Sequence, residues 1–405
     1  MNFRSIDEKG SQGIFGALNE VDNVCVFMAD ALRWDHLPES IAERGLTVKT
    51  IAASLTTHTS VPTMLTGLWP RHHGVLSRQH QIPDVPNLLD IPDLDDGYYM
   101  PGDESVVDDG TFSVLKIEER RELGRLDSPW TYFERHHGGH VPFEAAGWEG
   151  SWDEFVEEFA GNIEKHRHWY EKAVSGTVED FEDRLATIRE RGEESNTLIV
   201  FTSDHGEYLG EAGLVDHSSP MRPEGVYVPT VFIHPDIPAG TKADHVMRHV
   251  DLFPTILDSL DQPTPEHLDG ESLSRSSPSR GYSLSTSNVY FGGKPRHVYE
   301  SAGIWDADGG WVRNQTALHH RALMALGLLA GRRWKSKNIR RSLEKYPQAV
   351  GHYVRSREQF GDPRFSFEEA VADIEAIESV SPVSDKDLTD LSEDTEERLQ
   401  DLGYL

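Results

Sequence analysis

Two stretches, NVCVFMAD at 23–30 and TLIVFTSDHGE at 197–207, decide how this chain folds. Each is an apolar run with strand composition that ends in acidic residues: Val24 to Met28 leads into Asp30, and Leu198 to Thr202 leads into Asp204 and His205. Such runs predict strands whose C-terminal ends release the carboxylates and the imidazole. Open α/β sheets place their ligands at that edge. A third segment, SLTTHTSVPTMLTG at 54–67, adds a hydroxyl at Thr57. Two Asp, one His and one hydroxyl form a mixed oxygen and nitrogen set suited to a divalent cation, which would lower the hydroxyl pKa and make it a nucleophile. The chemistry implied is attack on a phosphoryl or sulfuryl ester.

Five stretches in chain order, NVCVFMADALRWDHL, TTHTSVPTMLTGLWPRHHGV, TLIVFTSDHGEYLGEAGLVDH, VDLFPTILDSL with DGESL, and EERLQDLGYL, together resemble the sulfatase branch of the alkaline phosphatase superfamily. The resemblance implies an alkaline-phosphatase-like, doubly wound mixed sheet flanked by helices, with a smaller C-terminal antiparallel subdomain. It also implies a metal held by Asp30, Thr57, Asp204 and His205. In the family the nucleophile lies nine residues before the Thr of a Thr-Gly pair; here that pair is Thr66-Gly67, which selects Thr57. Thr56, Thr59 and Ser60 are rivals that could equally cap the helix.

The pattern departs from the family in places that bear on substrate. A formylglycine sulfatase needs Cys or Ser at the nucleophile, and Thr cannot become formylglycine. The Arg usual four residues later is Val61, and the opening acidic pair is reduced to Ala29-Asp30. DALRWD is similar instead to the opening of nucleotide pyrophosphatase and phosphodiesterase relatives. Sulfate and phosphate esters are therefore both expected, with a phosphodiesterase, a phospho-group transferase or a catalytically silent binding relative as alternatives. Zn, Mn, Mg and Ca would all suit the ligand set.

Histidines supply further candidates. HVPF at 140–143 is similar to the family's His-x-Pro-Tyr segment, which gives His140 contact with the ester oxygens; a second alignment pairs His136 and His140 as ligands of a second metal. A two-metal site would clamp attacking and leaving oxygens. His217 matches the position where relatives keep a Lys or His facing the leaving group, a role for a general acid. His136 and His137 otherwise read as solvent-exposed, His72 and His73 as a structural turn, and Arg33 and Asp35 as partners of each other.

Composition frames the setting. The 405 residues hold 69 acidic against 39 basic side chains, a net charge of −30. That balance resembles a halophile's cytosolic protein, whose carboxylates keep it hydrated where molar salt shortens screening to roughly 3 Å. It argues against a nucleic-acid binding surface, which needs clustered Lys and Arg, and leaves a small-molecule or glycan ester as the expected partner. Cys25, the single cysteine, reads as a small core residue inside the first strand. Neither a signal-peptide pattern nor an apolar stretch of spanning length is present, so a cytoplasmic location is expected.

The motifs fall within a catalytic domain at 1–275, followed by a C-terminal subdomain at 276–405. A helical pattern runs from Trp152 to about Arg191 with a break near Gly176; DSPWTYFERHH reads as a strand feeding the histidines. SLSRSSPSRGYSLSTS at 272–287 reads as a linker or loop. RHVYES and GGWVRN read as a short antiparallel pair, and the acidic tail as a final helix from near Asp390 to Gly403. Residues 317–345, apolar and then basic, could lie on an anionic membrane or pair with the acidic surface.

Overall fold

The computed structural model describes residues 4–383 apart from 17, 19–20, 102–110, 144–145, 292–293 and 332. The strands in chain order are β1 (Arg4–Ile6), β2 (Asn23–Ala29), β3 (Leu46–Ile51), β4 (Asp95–Tyr99), β5 (Trp130–His136), β6 (Thr197–Thr202), β7 (Tyr208–Leu209), β8 (Val215–Asp216), β9 (Tyr227–Ile233) and β10 (Thr241–Arg248). Eight of them form one sheet in the order β1-β10-β3-β9-β6-β2-β5-β4. Its pairings are parallel except those of β9, which runs antiparallel to both β3 and β6. The strand Val24–Met28 expected from sequence is the centre of β2, and Leu198–Thr202 lies within β6.

The sheet is buried on both faces, which is why β2 reads as a continuous apolar run rather than an alternating one. Val24, Val26 and Met28 enter one core with Val61, Met64 and Leu65 of α1 (Thr57–Thr66). Cys25, Phe27 and Ala29 enter the other, against helices α2 (Trp152–Phe159) and α3 (Ile163–Glu190). Cys25 is thus a core residue, as expected. Because β5, β2 and β6 are adjacent and parallel, with Ala29 opposite His136 and Met28 opposite Thr202, their C-terminal ends open side by side on one edge.

The helix break lies elsewhere than Gly176, which sits inside α3. The chain turns at Ala160, Gly161 and Asn162: Gly161 has φ +76°, and the Asn162 side chain caps α3 by accepting from Lys165 N. A capped start and a left-handed glycine end a helix more firmly than one interior glycine does.

Beyond α4 (Leu252–Ser259) a separate antiparallel sheet is built from β11 (Gly281–Phe291), β12 (Lys294–Trp305), β13 (Gly309–Asn314) and β14 (Arg357–Gly361). The expected RHVYES and GGWVRN pairing is corrected in register: GGWVRN pairs with Ser301–Trp305, so only Ser301 of RHVYES faces it, and the rest of RHVYES pairs with β11. The loop expected at 272–287 is corrected at its second half, since residues 281–287 belong to β11. Tyr282 and Leu284 are buried there, and so are the intervening Ser283 and Ser285, so serine composition masks a two-sided buried strand. Leu284 N donates to Ala53 O (2.8 Å), docking this sheet on the segment before Thr57. Helices α5 (Leu318–Ala330), α6 (Trp334–Arg341), α7 (Tyr346–Val354) and α8 (Phe367–Glu378) complete the described residues. The tail helix expected at 390–403 lies outside them.

Candidate metal centre and nucleophile

Asp30 is the first residue past β2, and the backbone of the β5 turn grips it. Asp30 N donates to His136 O (3.0 Å) and Gly139 N donates to Asp30 O (2.8 Å). Between them Gly138 sits at φ +55°, where a Cβ would lie 2.1 Å from Asp30 O. Only glycine tolerates both that conformation and that approach.

Past β6, Asp204 Oδ1 accepts from Ala31 N (3.2 Å) and His205 N (3.0 Å), which turns Oδ2 toward Asp30. His205 Nδ1 lies 3.1 Å from Gly206 O, so Nδ1 carries the proton and Nε2 presents a lone pair. That lone pair faces Asp204 Oδ2 at 3.3 Å and Asp30 Oδ1 at 3.7 Å. Both oxygens are buried without a hydrogen-bond partner among the described residues. The ligand atoms of Asp30, Asp204 and His205 all lie within 4.8 Å of one another. Three acceptors converging in a water-poor site repel one another unless a cation sits among them, so the residues fit a divalent metal.

The carboxyl groups report the same strain. Burial pushes Asp30 up, but the His140 ring, the Arg135 guanidinium with its hydrogen bonds and the His205 ring outweigh it and hold the group well below the usual carboxylate range. Burial, and then the charge of Asp30, push Asp204 the other way.

Thr57 opens α1 at this edge. Its Oγ1 lies 3.3 Å from His205 Nε2 and 3.5 Å from Asp30 Oδ2. The rival hydroxyls point elsewhere: Ser60 Oγ donates to Ser54 O (3.0 Å), and Thr56 Oγ1 lies 3.4 Å from His58 Nε2 and makes no cap bond. His205 stacks on His217 at 4.1 Å between ring centroids, and His140 lies 5.0 Å from His217. Burial is the main cause that brings both His140 and His217 down to about 3, so both rings are neutral. His217 Nδ1 lies 3.3 Å from Glu207 Oε2, a carboxyl pushed well up by burial and by the charge of Asp216.

His136 does not join the cluster, and it is not exposed. It is buried against Phe27, with Nδ1 accepting from Gly138 N (3.1 Å) and Nε2 bonded to Asp180 Oδ2 (2.8 Å). As the last residue of β5 it points to the α3 face of the sheet, away from Asp30, so the His136 and His140 pairing is not formed. His137 Nε2 donates to Pro101 O (3.1 Å). His72 bonds Asp269 and donates to Ile377 O, and His73 bonds Thr63, both structural contacts as expected. Arg33 and Asp35 form the expected pair, with distances of 2.8 and 2.6 Å.

Two residues of the centre escape sequence reading. Arg135 donates to Asp30 Oδ2 from Nε (3.1 Å) and Nη2 (2.7 Å), fixing that carboxylate so that Oδ1 is left for the cluster. His249 accepts from Ala53 N (3.2 Å) and donates to Ser203 O (3.0 Å), joining the strap before Thr57 to the loop that carries Asp204. Each lies far along the chain from its partner and belongs to no local motif; a polar residue at a strand end within an apolar run was the only signal.

Residues 120–262 match the sulfatase family. Over 95% of its length the chain is 29% identical to a low-salt glycan biosynthesis sulfotransferase, Agl7, of Haloferax volcanii, covering 96% of that protein. Among solved structures it is similar to a 2-O GAG sulfatase (TM-score 0.56, 14% identity, 85% of this chain and 96% of that one). It is similar also to the phosphonate monoester hydrolase of Agrobacterium radiobacter (TM-score 0.54, 15% identity, 82% and 96%). Residues 120–262 thus resemble the sulfatase family, and the fold is shared with these solved structures. No helix among the described residues is long and apolar enough to cross a membrane.

Proposed function

We propose that this chain, whose residues 120–262 match the sulfatase family, is a metal-dependent enzyme that breaks a sulfate or phosphate ester, with Thr57 as nucleophile. The observation that carries the reading is the convergence of Thr57 Oγ1, the His205 lone pair and two unpartnered carboxylate oxygens at one sheet edge. A divalent cation held by Asp30, Asp204 and His205 would supply Lewis acidity, easing loss of the Thr57 proton and balancing charge on the ester. Zn, Mn, Mg and Ca are the candidates.

The chain's own groups then do the rest. Thr57 Oγ1 attacks sulfur or phosphorus in line; a bond from Oγ1 to that atom forms as the bond to the leaving oxygen breaks, and the proton lost by Oγ1 ends on that oxygen, which departs as the alcohol. His217, neutral, offers an N–H group to the ester oxygens and to the departing alcohol; the neutral His140 gives its one N–H, on Nδ1, to Val141 O and packs beside His217. Arg135 holds Asp30 still through the step. An acceptor hydroxyl next attacks the Thr57 ester and frees Oγ1, returning the site to its starting state.

Water as that acceptor makes the protein a hydrolase; an alcohol makes it a transferase. The transferase reading is favoured by likeness, over nearly the whole chain, to a protein named as a glycan biosynthesis sulfotransferase, which also suggests a glycan substrate and a halophilic, cytoplasmic setting. Domain limits of 1–275 and 276–405 suit both readings.

The test compares wild type, Thr57→Ala and Asp204→Asn in molar KCl on aryl sulfate, aryl phosphate and aryl phosphodiester, with EDTA or each metal, and with and without a sugar acceptor. Metal-dependent turnover lost in both variants is expected. Full activity in Asp204→Asn would remove the metal centre from the reaction.

A further inference from the structure

Two independent observations meet in residues 318–345. The stretch holds eight Lys and Arg against one acid, Glu344, within a chain of net charge −30. Among the described residues six large hydrophobic side chains stand exposed, and four of them, Leu318, Leu323, Leu326 and Leu343, belong to it.

Helix α5 explains the leucines. Arg321, Ala325 and Leu328 form its inward stripe, and Arg321, its only charged side chain, is turned inside to donate to Val354 O (2.8 Å). The opposite stripe, His319, Leu323, Leu326 and Ala330, recurs at helical spacing, is exposed throughout and carries no Lys, Arg, Asp or Glu. Leu323 and Leu326 are 63% and 59% exposed. An outward helix face would ordinarily be polar in a chain this acidic.

The bases divide into two sets. Lys335 pairs with Asp216 (3.2 Å), and Lys337 and Arg341 share Glu157, so these are structural. Arg340 spends one amine on the carbonyls of Leu329 and Gly331 and meets no carboxylate in the described contacts, and Arg333 is exposed beside it. Positive charge therefore stands at the C-terminal end of the apolar stripe.

We propose that this outward face of α5, ended by Arg333 and Arg340, docks on an anionic lipid surface. Leucines enter the boundary between headgroups and acyl chains, and guanidinium groups meet the phosphates. The strongly acidic remainder of the protein is repelled by such a surface, so the basic end selects the orientation. A second copy paired parallel would bring Arg333 and Arg340 of both copies together, and an antiparallel pair is the dimer that the light-scattering measurement below detects. Because Lys335 also bonds Ser218 Oγ, next to His217, the docked face lies one short helix from the candidate centre.

The experiment is vesicle co-sedimentation of the full chain on phosphatidylglycerol and on phosphatidylcholine, at low and at molar KCl. Wild type is expected to bind phosphatidylglycerol vesicles at both salts. Leu323→Ser with Leu326→Ser should weaken binding at least roughly tenfold while circular dichroism and melting stay unchanged, since both side chains are exposed. Arg333→Glu with Arg340→Glu should abolish the preference for phosphatidylglycerol at low salt, where charge is least screened. No binding by wild type, or equal binding by the leucine variant, would overturn the proposal. So would a wild-type dimer, seen by light scattering, that the leucine variant converts to monomer. None of these readouts requires turnover, so failure here is separate from failure of the proposed reaction.

Discussion

Replacing His249 with Phe should loosen the centre without emptying the space the ring occupies. His249 follows β10, is 1% exposed, and bonds Ala53 N through Nδ1 and Ser203 O through Nε2. Only the neutral ring with its proton on Nε2 can accept at one nitrogen and donate at the other. Burial pushes its pKa down to about 3, which secures that form across the neutral range. Ala53 lies four residues before Thr57 and Ser203 immediately precedes Asp204, so the ring is a brace between the proposed nucleophile and a candidate metal ligand. Phe keeps a ring of similar size and leaves a buried N–H and a buried carbonyl without that partner, a cost of about 1–3 kcal/mol each. For a chain of this length the melting temperature should fall by roughly 2–7 °C. A merely structural brace would stop there; a positioning residue also weakens metal binding, by about 10-fold to 100-fold as outer ligands do. Calorimetric titration of wild type, His249→Phe and His249→Gln with Zn and Mn separates the two, because the Gln amide offers both a donor and an acceptor and should restore part of the affinity. Unchanged metal affinity in the Phe variant, or a Gln variant as weak as Phe, would refute the reasoning.

Gly138→Ala would put a Cβ 2.1 Å from Asp30 O at a positive φ, so a loss of metal affinity is expected with a destabilisation of about 1–3 kcal/mol, read by titration and thermal melting. Arg135→Met leaves the buried Asp30 carboxylate without its cation, costing about 3–5 kcal/mol; added divalent metal should then raise the melting temperature more in the variant than in wild type. His166 is buried against Phe143 and Trp334 with neither ring nitrogen bonded, and burial takes its pKa down to about 3. The unfolded chain therefore binds a proton that the folded one refuses, so stability present near pH 7 is lost between about pH 6.5 and 3, by up to about 5 kcal/mol. Guanidinium midpoints measured against pH should fall less steeply for His166→Phe.

What could be read from the sequence was what neighbours in the chain decide. Asp30, Asp204 and His205 follow strands whose apolar runs are local, and Thr57 lies at a fixed spacing from a Thr-Gly pair, so both the sheet edge and the cluster were legible before any coordinates. Arg135 was not: it lies 105 residues from Asp30, inside a strand that pointed to its histidines instead. His249 lies 196 residues from Ala53 and looks like any residue at a strand end. His136 misled because its partner, Asp180, sits on a distant helix. The serine-rich start of β11 misled because Ser285 satisfies its hydroxyl on Ser218 O, a tertiary contact that lets a polar residue sit in a buried strand.

Thr57 constrains the proposed reaction more than any other residue. Its Cβ carries one oxygen, a methyl group and a hydrogen, so a sulfated or phosphorylated Thr57 has no second hydroxyl on Cβ with which to expel the group by forming a carbonyl. The Thr57 ester is therefore cleared only by attack at sulfur or phosphorus, and whatever hydroxyl reaches that atom becomes the product. With Thr57 6% exposed and Asp204 and His205 fully buried, few water molecules can share the site with a bound acceptor. A sugar hydroxyl held there should outcompete water far beyond its share of the solution, by effective concentration. Product analysis with aryl sulfate or phosphate as donor and a free sugar as acceptor reads the partition directly. Transfer well above the molar ratio of sugar to water is the result expected of a transferase, and partition at that ratio would identify a hydrolase with an open second step.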